Sequence, residues 1–151
     1  MKTKILMVCL GNICRSPLAQ GILESKVNSE HVFVDSAGTG AYHVGEQPDA
    51  RSIEVAKAHG IEISNQKARK FVKEDFDAFD LILVMDQSNY VNVVAQTDQS
   101  NQREKVHLIL SLCGAGQNEV PDPYYGGVQG FEHVFSLLDD ACNYLVKEVL
   151  K

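Results

Sequence analysis

Four short apolar runs, "KILMVC" (4–9), "HVFVDSAG" (31–38), "DLILVMD" (80–86) and "KVHLIL" (105–110), alternate with segments of helical spacing. Continuous aliphatic runs of that length fit strands buried on both faces, not the alternating pattern of a half-exposed sheet. Between them lie "SPLAQGILESKVNS" (16–29), "PDARSIEVAKAHG" (48–60), a short acidic helical turn "KEDFDAFD" (73–80) and "QSNYVNVVAQT" (87–97). A long terminal helix, "GFEHVFSLLDDACNYLVKEVL", covers 130–150. Strand–helix alternation implies right-handed crossovers and a parallel sheet covered on both faces. The expectation is an α/β fold: a small doubly wound, flavodoxin-like, four-stranded parallel sheet of order 2-1-3-4. The 151 residues, with no linker or repeat, fit one domain over 1–151.

In such sheets ligands bind outside the carboxyl ends of the strands. The loop after the first strand lies there and reads "CLGNICRS". Ser36, Asp86 and the long loop "SLCGAGQNEVPDPYYGGVQG" fall at the same end. In the helix behind the first loop, Ser16 is placed as N-cap and Pro17 as first helical residue. Leu18, Ile22 and Leu23 are expected to form its core stripe. Pro48 opens the second helix and Gly60 closes it.

A strand-to-helix loop points successive N–H groups inward and adds the positive end of the helix dipole. That is an anion nest, spanning Leu10, Gly11, Asn12, Ile13, Cys14, Arg15 and Ser16. Gly11 is expected to supply unusual backbone torsions, and Asn12 tolerates the left-handed region. Arg15 adds a planar fork suited to phosphate oxygens. Cys9 opens the loop. Facing these donors, its thiol is expected to ionise below the free value of ~8.5 and to attack a bound phosphate. An acid must protonate the leaving oxygen. Asp122, held between Pro121 and Pro123, suits that role.

These segments resemble the low-molecular-weight protein tyrosine phosphatases. "VCLGNICRSP" matches their phosphate loop, "DSAGT" the segment after the second strand, "DPYYG" the acid loop, and "KEDFDAFDLILVMDQSN" a further stretch. The resemblance implies a metal-independent hydrolase that removes phosphate from phosphotyrosine and small aryl phosphates through a phosphocysteine. It implies Cys9 as nucleophile, Arg15 as phosphate clamp and Asp122 as general acid. Asn12 and Ser36 would hold the loop's shape, and Ser16 would steady the thiolate. Tyr42, Tyr124 and Tyr125, with Leu10, would wall a deep slot favouring phosphotyrosine over the shorter phosphoserine. Cys14 would form a reversible disulfide with Cys9 under peroxide, shielding it from over-oxidation. Many members carry a histidine after the second helix that joins the Asn–Ser network. Here that region reads "ISNQKARK", with Asn65 and Gln66 instead. His43, beside Tyr42, occupies a rim position that varies across the family.

Competing readings are weaker. The net charge of −6 argues against nucleic acid and against a polybasic membrane surface. No apolar run approaches the ~20 residues of a membrane span. "MKTKILMVCLGN" has too short an apolar part for a signal peptide and no cleavage site. Four scattered cysteines fit the reducing cytoplasm, with Cys113 and Cys142 as buried small hydrophobes. Zinc spacing is absent, and the histidines are scattered. "GTGAYH" is no dinucleotide fingerprint, and no Gly-Lys-Ser/Thr phosphate loop occurs. Asp86 serves equally as a helix cap or a group near Arg15. An arsenate reductase of this fold would need two cysteines beyond the third strand. A protein-arginine phosphatase would carry threonine in place of Ile13. A phosphopeptide-binding module would need neither Cys9 nor Asp122. The expected partners are a phosphotyrosine-containing protein and phosphate-like oxyanions, with the chain a monomer or weak dimer and no cofactor.

Overall fold

The computed structural model describes residues 2–124 and 128–150. Strands β1 (Thr3–Cys9), β2 (Val32–Gly38), β3 (Leu81–Val84) and β4 (Val106–Leu108) form one parallel sheet of order β2-β1-β3-β4, as expected. Helices α1 (Arg15–Glu24), α2 (Ala50–Ala58), α3 (Asp75–Ala78), α4 (Gln87–Val94), α5 (Ser100–Arg103), α6 (Ile109–Leu112) and α7 (Val128–Tyr144) connect and cover it. A π-helical turn at Leu145–Val149 ends the described chain.

The central strand β1 explains the layering. Its side chains alternate between faces. Ile5 and Met7 join the core formed with α1, α2 and α7, whereas Leu6 and Val8 join Phe71, Phe76, Phe79 and Val93 on the other face. All four of these β1 residues are fully buried, so an unbroken aliphatic run was required. Burying a side chain of this size contributes about 1.5–3 kcal/mol. Helix α1 is wrapped by β1, β2, α2 and α7. Leu18, Ile22 and Leu23 are fully buried, as the helical spacing predicts.

Most elements are shorter than the sequence predicts, and for three of them the structure shows where regular structure stops. Helix α1 stops at Glu24 rather than residue 29, because Ser25 Oγ donates to Ile22 O and Asn28 starts a turn that accepts from His31 N. Strand β4 ends at Leu108 because its sole neighbour β3 pairs only as far as Val84. Ile109 and Leu110 then turn into α6, and the apolar character read as strand serves the core beneath α7. The terminal helix changes pitch after Tyr144, with Leu150 N donating to Leu145 O. The short α5, unforeseen in the sequence, follows a Thr97–Gln99 turn.

Candidate active site

Strand β1 delivers Cys9 to the carboxyl edge of the sheet, and α1 begins six residues later at Arg15. The loop between them is shaped by one unusual torsion and one close approach. Asn12 has φ of 58°, the only positive φ at a non-glycine among the described residues. Asparagine bears that conformation at small cost. Gly11, expected to supply the unusual torsion, is not left-handed; an added Cβ there would meet His43 Cδ2 at 3.2 Å. The close approach is at Gly38, unmarked in the sequence. A Cβ on Gly38 would lie 2.7 Å from Leu10 O and 3.1 Å from Asn12 N. Strand β2 therefore packs its backbone directly on the loop, and Thr39 N and Gly40 N donate to Cys9 O and Leu10 O.

The start of α1 corrects the expected capping. Cys14, not Ser16, occupies the N-cap position, and its side chain makes no capping bond. Ser16 and Pro17 sit in the first turn, where a missing N–H costs nothing. The Ser16 hydroxyl turns inward to within 3.0 Å of Cys9 Sγ. Asn12 N–H donates to the same sulfur at 3.3 Å. An uncapped helix start leaves its N–H groups for an anion. Asn12 Nδ2 donates to Ser16 Oγ at 2.8 Å and to Ser36 Oγ at 3.0 Å.

Arg15 is only 3% exposed. Its Nη1 donates to Asp86 Oδ2 at 2.7 Å and to Val120 O at 3.0 Å. Its Nη2 lies 3.7 Å from Asp122 Oδ2. Burial opposes the charge, yet Cys9, Asp86 and Asp122 outweigh it and hold the guanidinium above its ordinary range. Asp86 does both things the sequence allowed. Its Oδ2 pairs with Arg15 while its Oδ1 accepts from Asn89 N in a capping box at the start of α4.

The loop after α6 docks on β3, with Val120 N donating to Met85 O at 2.8 Å. This brings Asp122, whose Oδ1 accepts from Tyr124 N, to the mouth of the site. A cleft of about 360 Å³ results. Cys9, Gly11, Cys14 and Arg15 line it with Asp122; Leu10, Ile13, Tyr42, His43 and Tyr124 complete its walls. Tyr125, also expected there, lies outside the described residues. Arg51 was not anticipated. It is paired with Asp49 at 3.0 Å and lies 5.4 Å from the Tyr124 ring and 4.6 Å from Phe131. It thus braces one wall through cation–π contact.

Gln66, near the expected histidine position, donates to Pro17 O and does not bond either serine. Gln20 of α1 does: its Oε1 accepts from Ser36 Oγ at 2.6 Å. Arg69 is a second residue missed. Its backbone N–H donates to Asn12 Oδ1 at 3.0 Å, and its guanidinium pairs with Asp35 and Asp75. Cys14 is buried, and burial, then Asp49 and Cys9, push its thiol up to about 12. Cys113 is pushed to about 11 and Cys142 higher still, both chiefly by burial. Among the described residues no cluster of three or more His, Cys, Asp or Glu could hold a metal ion, and no helix is long and apolar enough to cross a membrane.

Comparison with known proteins agrees with this geometry. The family model described as low molecular weight phosphotyrosine protein phosphatase matches residues 4–151. The Schizosaccharomyces pombe protein of that name is 42% identical over 149 residues, covering 94% of each chain. A crystal structure of protein tyrosine phosphatase from Entamoeba histolytica, with Hepes in its active site, superposes with a TM-score of 0.91 at 38% identity, covering 98% of this chain and 97% of that one. Vibrio vulnificus Wzb in complex with benzylphosphonate gives 0.88 at 31% identity, covering 99% and 100%. With a full-length family match laid over a Cys9–Arg15 loop of this shape, the chain belongs to the low molecular weight phosphotyrosine protein phosphatase family.

Proposed function

We propose that the protein hydrolyses phosphotyrosine in proteins, and small aryl phosphates, through a phosphocysteine. The observation that carries this reading is the meeting of Cys9, Arg15 and Asp122 at one cleft. Cys9 Sγ attacks phosphorus, a P–S bond forms, and the P–O bond to the phenol breaks. Asp122 gives its proton to the leaving phenolate. Water then attacks phosphorus, Asp122 takes the water proton, and the P–S bond breaks to return the thiolate beside Ser16. Arg15 and the N–H groups of residues 10–16 hold the equatorial oxygens, where charge is greatest in the transition state. Asp86 and Val120 O keep Arg15 in place for that task.

Substrate class follows from the walls. The benzylphosphonate in Wzb joins a tetrahedral anion to one aromatic ring. A nest with Leu10, Tyr42 and Tyr124 above it suits the same combination here, and a phosphoserine side chain is too short to pass that rim. The reading includes metal-independent turnover by a cytoplasmic monomer or weak dimer. It also includes a protective Cys9–Cys14 disulfide: peroxide oxidises Cys9 to a sulfenic acid, and the Cys14 thiol condenses with it, releasing water.

The test is hydrolysis of para-nitrophenyl phosphate with chelator present. Activity should persist, vanish in Cys9→Ser, and fall by about 10²–10³ in Asp122→Ala. Turnover abolished by chelator, or retained by Cys9→Ser, overturns the mechanism.

A further inference from the structure

We infer that Gln20 is a positioning residue that, by accepting the Ser36 hydroxyl proton, steadies the Ser36–Asn12–Ser16 hydrogen bonds reaching Cys9; this rests on the phosphatase reading above. The direction is forced from one end. Backbone N–H of Arg69 can only donate, and it meets Asn12 Oδ1 at 3.0 Å. The Asn12 amide is therefore fixed with Nδ2 toward the two serines. Both of its protons are used, one on Ser16 Oγ and one on Ser36 Oγ. Each serine is thereby an acceptor toward Asn12 and must send its single hydroxyl proton elsewhere.

For Ser16 that proton faces Cys9 Sγ at 3.0 Å, so the hydroxyl donates to the sulfur. For Ser36 the acceptor is Gln20 Oε1, at 2.6 Å. Gln20 lies one turn after Ser16 on α1, so one helix face presents both groups to the network. The Gln20 amide is itself turned by Glu24, whose Oε2 accepts from Nε2 at 3.4 Å. Remove the Gln20 acceptor, and the buried Ser36 hydroxyl proton loses its partner, which loosens the Ser36 oxygen that receives from Asn12 Nδ2. Asn12, whose left-handed backbone depends on these bonds, then holds Ser16 less well. Ser16 is the group that supports Cys9 as the thiolate.

The decisive variant is Gln20→Met, which keeps length and helix propensity but replaces the amide oxygen with a thioether, a weak acceptor. Its kcat/KM for para-nitrophenyl phosphate should fall about three- to tenfold, the effect of one hydrogen bond. The acid limb of its kcat/KM–pH profile should move up by about half a pH unit, since less support reaches the thiolate. Gln20→Glu, whose carboxylate still accepts from Ser36, should stay within about twofold of the parent at pH 7. In a Ser36→Ala background, Gln20→Met should add less than about a twofold loss. A Gln20→Met profile that superposes on the parent, or an equal loss with and without Ser36, overturns the inference. Gln20→Ala carries the same test at this half-buried helix position if the methionine variant fails to fold. Were the parent itself inactive, or active as Cys9→Ser, the functional reading would fall instead; an active parent with an unaffected Gln20→Met removes only the role of Gln20.

Discussion

Asp86 Oδ2 accepts from Arg15 Nη1 at 2.7 Å while Asp86 Oδ1 caps α4, so one carboxylate ties the buried guanidinium to the far side of the sheet. The two jobs separate by substitution. Asn caps a helix about as well as Asp, whereas Ala does not. Asp86→Asn should hold its stability to within about 1 kcal/mol and lose about tenfold in kcat/KM, because the charge that orients Arg15 is gone. Asp86→Ala should lose a further ~1 kcal/mol of stability with the cap. Urea melts alongside turnover of an aryl phosphate check both. Equal stabilities for the two variants would break the argument.

Gly38 is the floor on which residues 10–12 rest. An added methyl would stand 2.7 Å from Leu10 O, a backbone atom with nowhere to go. Gly38→Ala should cost about 1–3 kcal/mol by overpacking, and should depress kcat more than stability alone accounts for. A variant with parental kcat would show that the loop tolerates displacement.

Thiol chemistry should be sharply selective. Cys14 is held at about 12 and Cys113 at about 11, so both stay protonated at pH 8. With a thiol at about 12, only about one molecule in ten thousand is thiolate there. Iodoacetamide on the native protein should therefore modify Cys9 first, and inorganic phosphate should protect it. Rapid labelling of Cys14 under the same conditions, read by peptide mass, would contradict this.

The same buried thiols make stability fall in alkali. Their folded values lie above the unfolded value of ~8.5, so above that pH the unfolded chain binds fewer protons than the native one. The contribution is complete below about pH 8.5 and is lost as pH rises through about 11 to 12. Urea midpoints should drop steadily from pH 8 to 10, and less so in a Cys113→Ala variant once its own cavity cost is subtracted. A midpoint constant over that range would refute it.

Turnover, by contrast, should be bell-shaped in pH. The proposed mechanism uses Cys9 as the thiolate and Asp122 as the proton donor, so kcat/KM should fall at both ends of the pH range. Asp122→Asn, which cannot exchange a proton, should erase the alkaline limb. A flat profile for the parent from pH 4 to 8 would count against this pair.

Local order decided much in advance. The β1 run, the Cys9–Arg15 spacing and the Ser16–Pro17 start of a helix lie within fifteen consecutive residues, and nearest-neighbour physics ties strand, nest and dipole together there. Asp122 was legible because two prolines isolate it. Sheet order followed from alternation and chirality. Ser16 was expected both to cap the helix and to steady the thiolate; the fold gives the cap position to Cys14 and leaves the Ser16 hydroxyl to the sulfur. Only the fold brings Cys9 Sγ within 3.0 Å of that hydroxyl. Asp86 bonds Arg15 across 71 positions, Arg69 reaches Asn12 across 57, and Gln20 meets Ser36 across 16. Gly38 earns its place from a loop almost thirty residues earlier. Asp86 apart, whose place near Arg15 the sequence allowed, these leave no local mark, because a hydrogen bond or a contact limit depends on which strands lie side by side. The sequence alone singled out Cys9, Arg15 and Asp122, the groups proposed to do the chemistry; tertiary packing chose which ordinary residues surround and hold them.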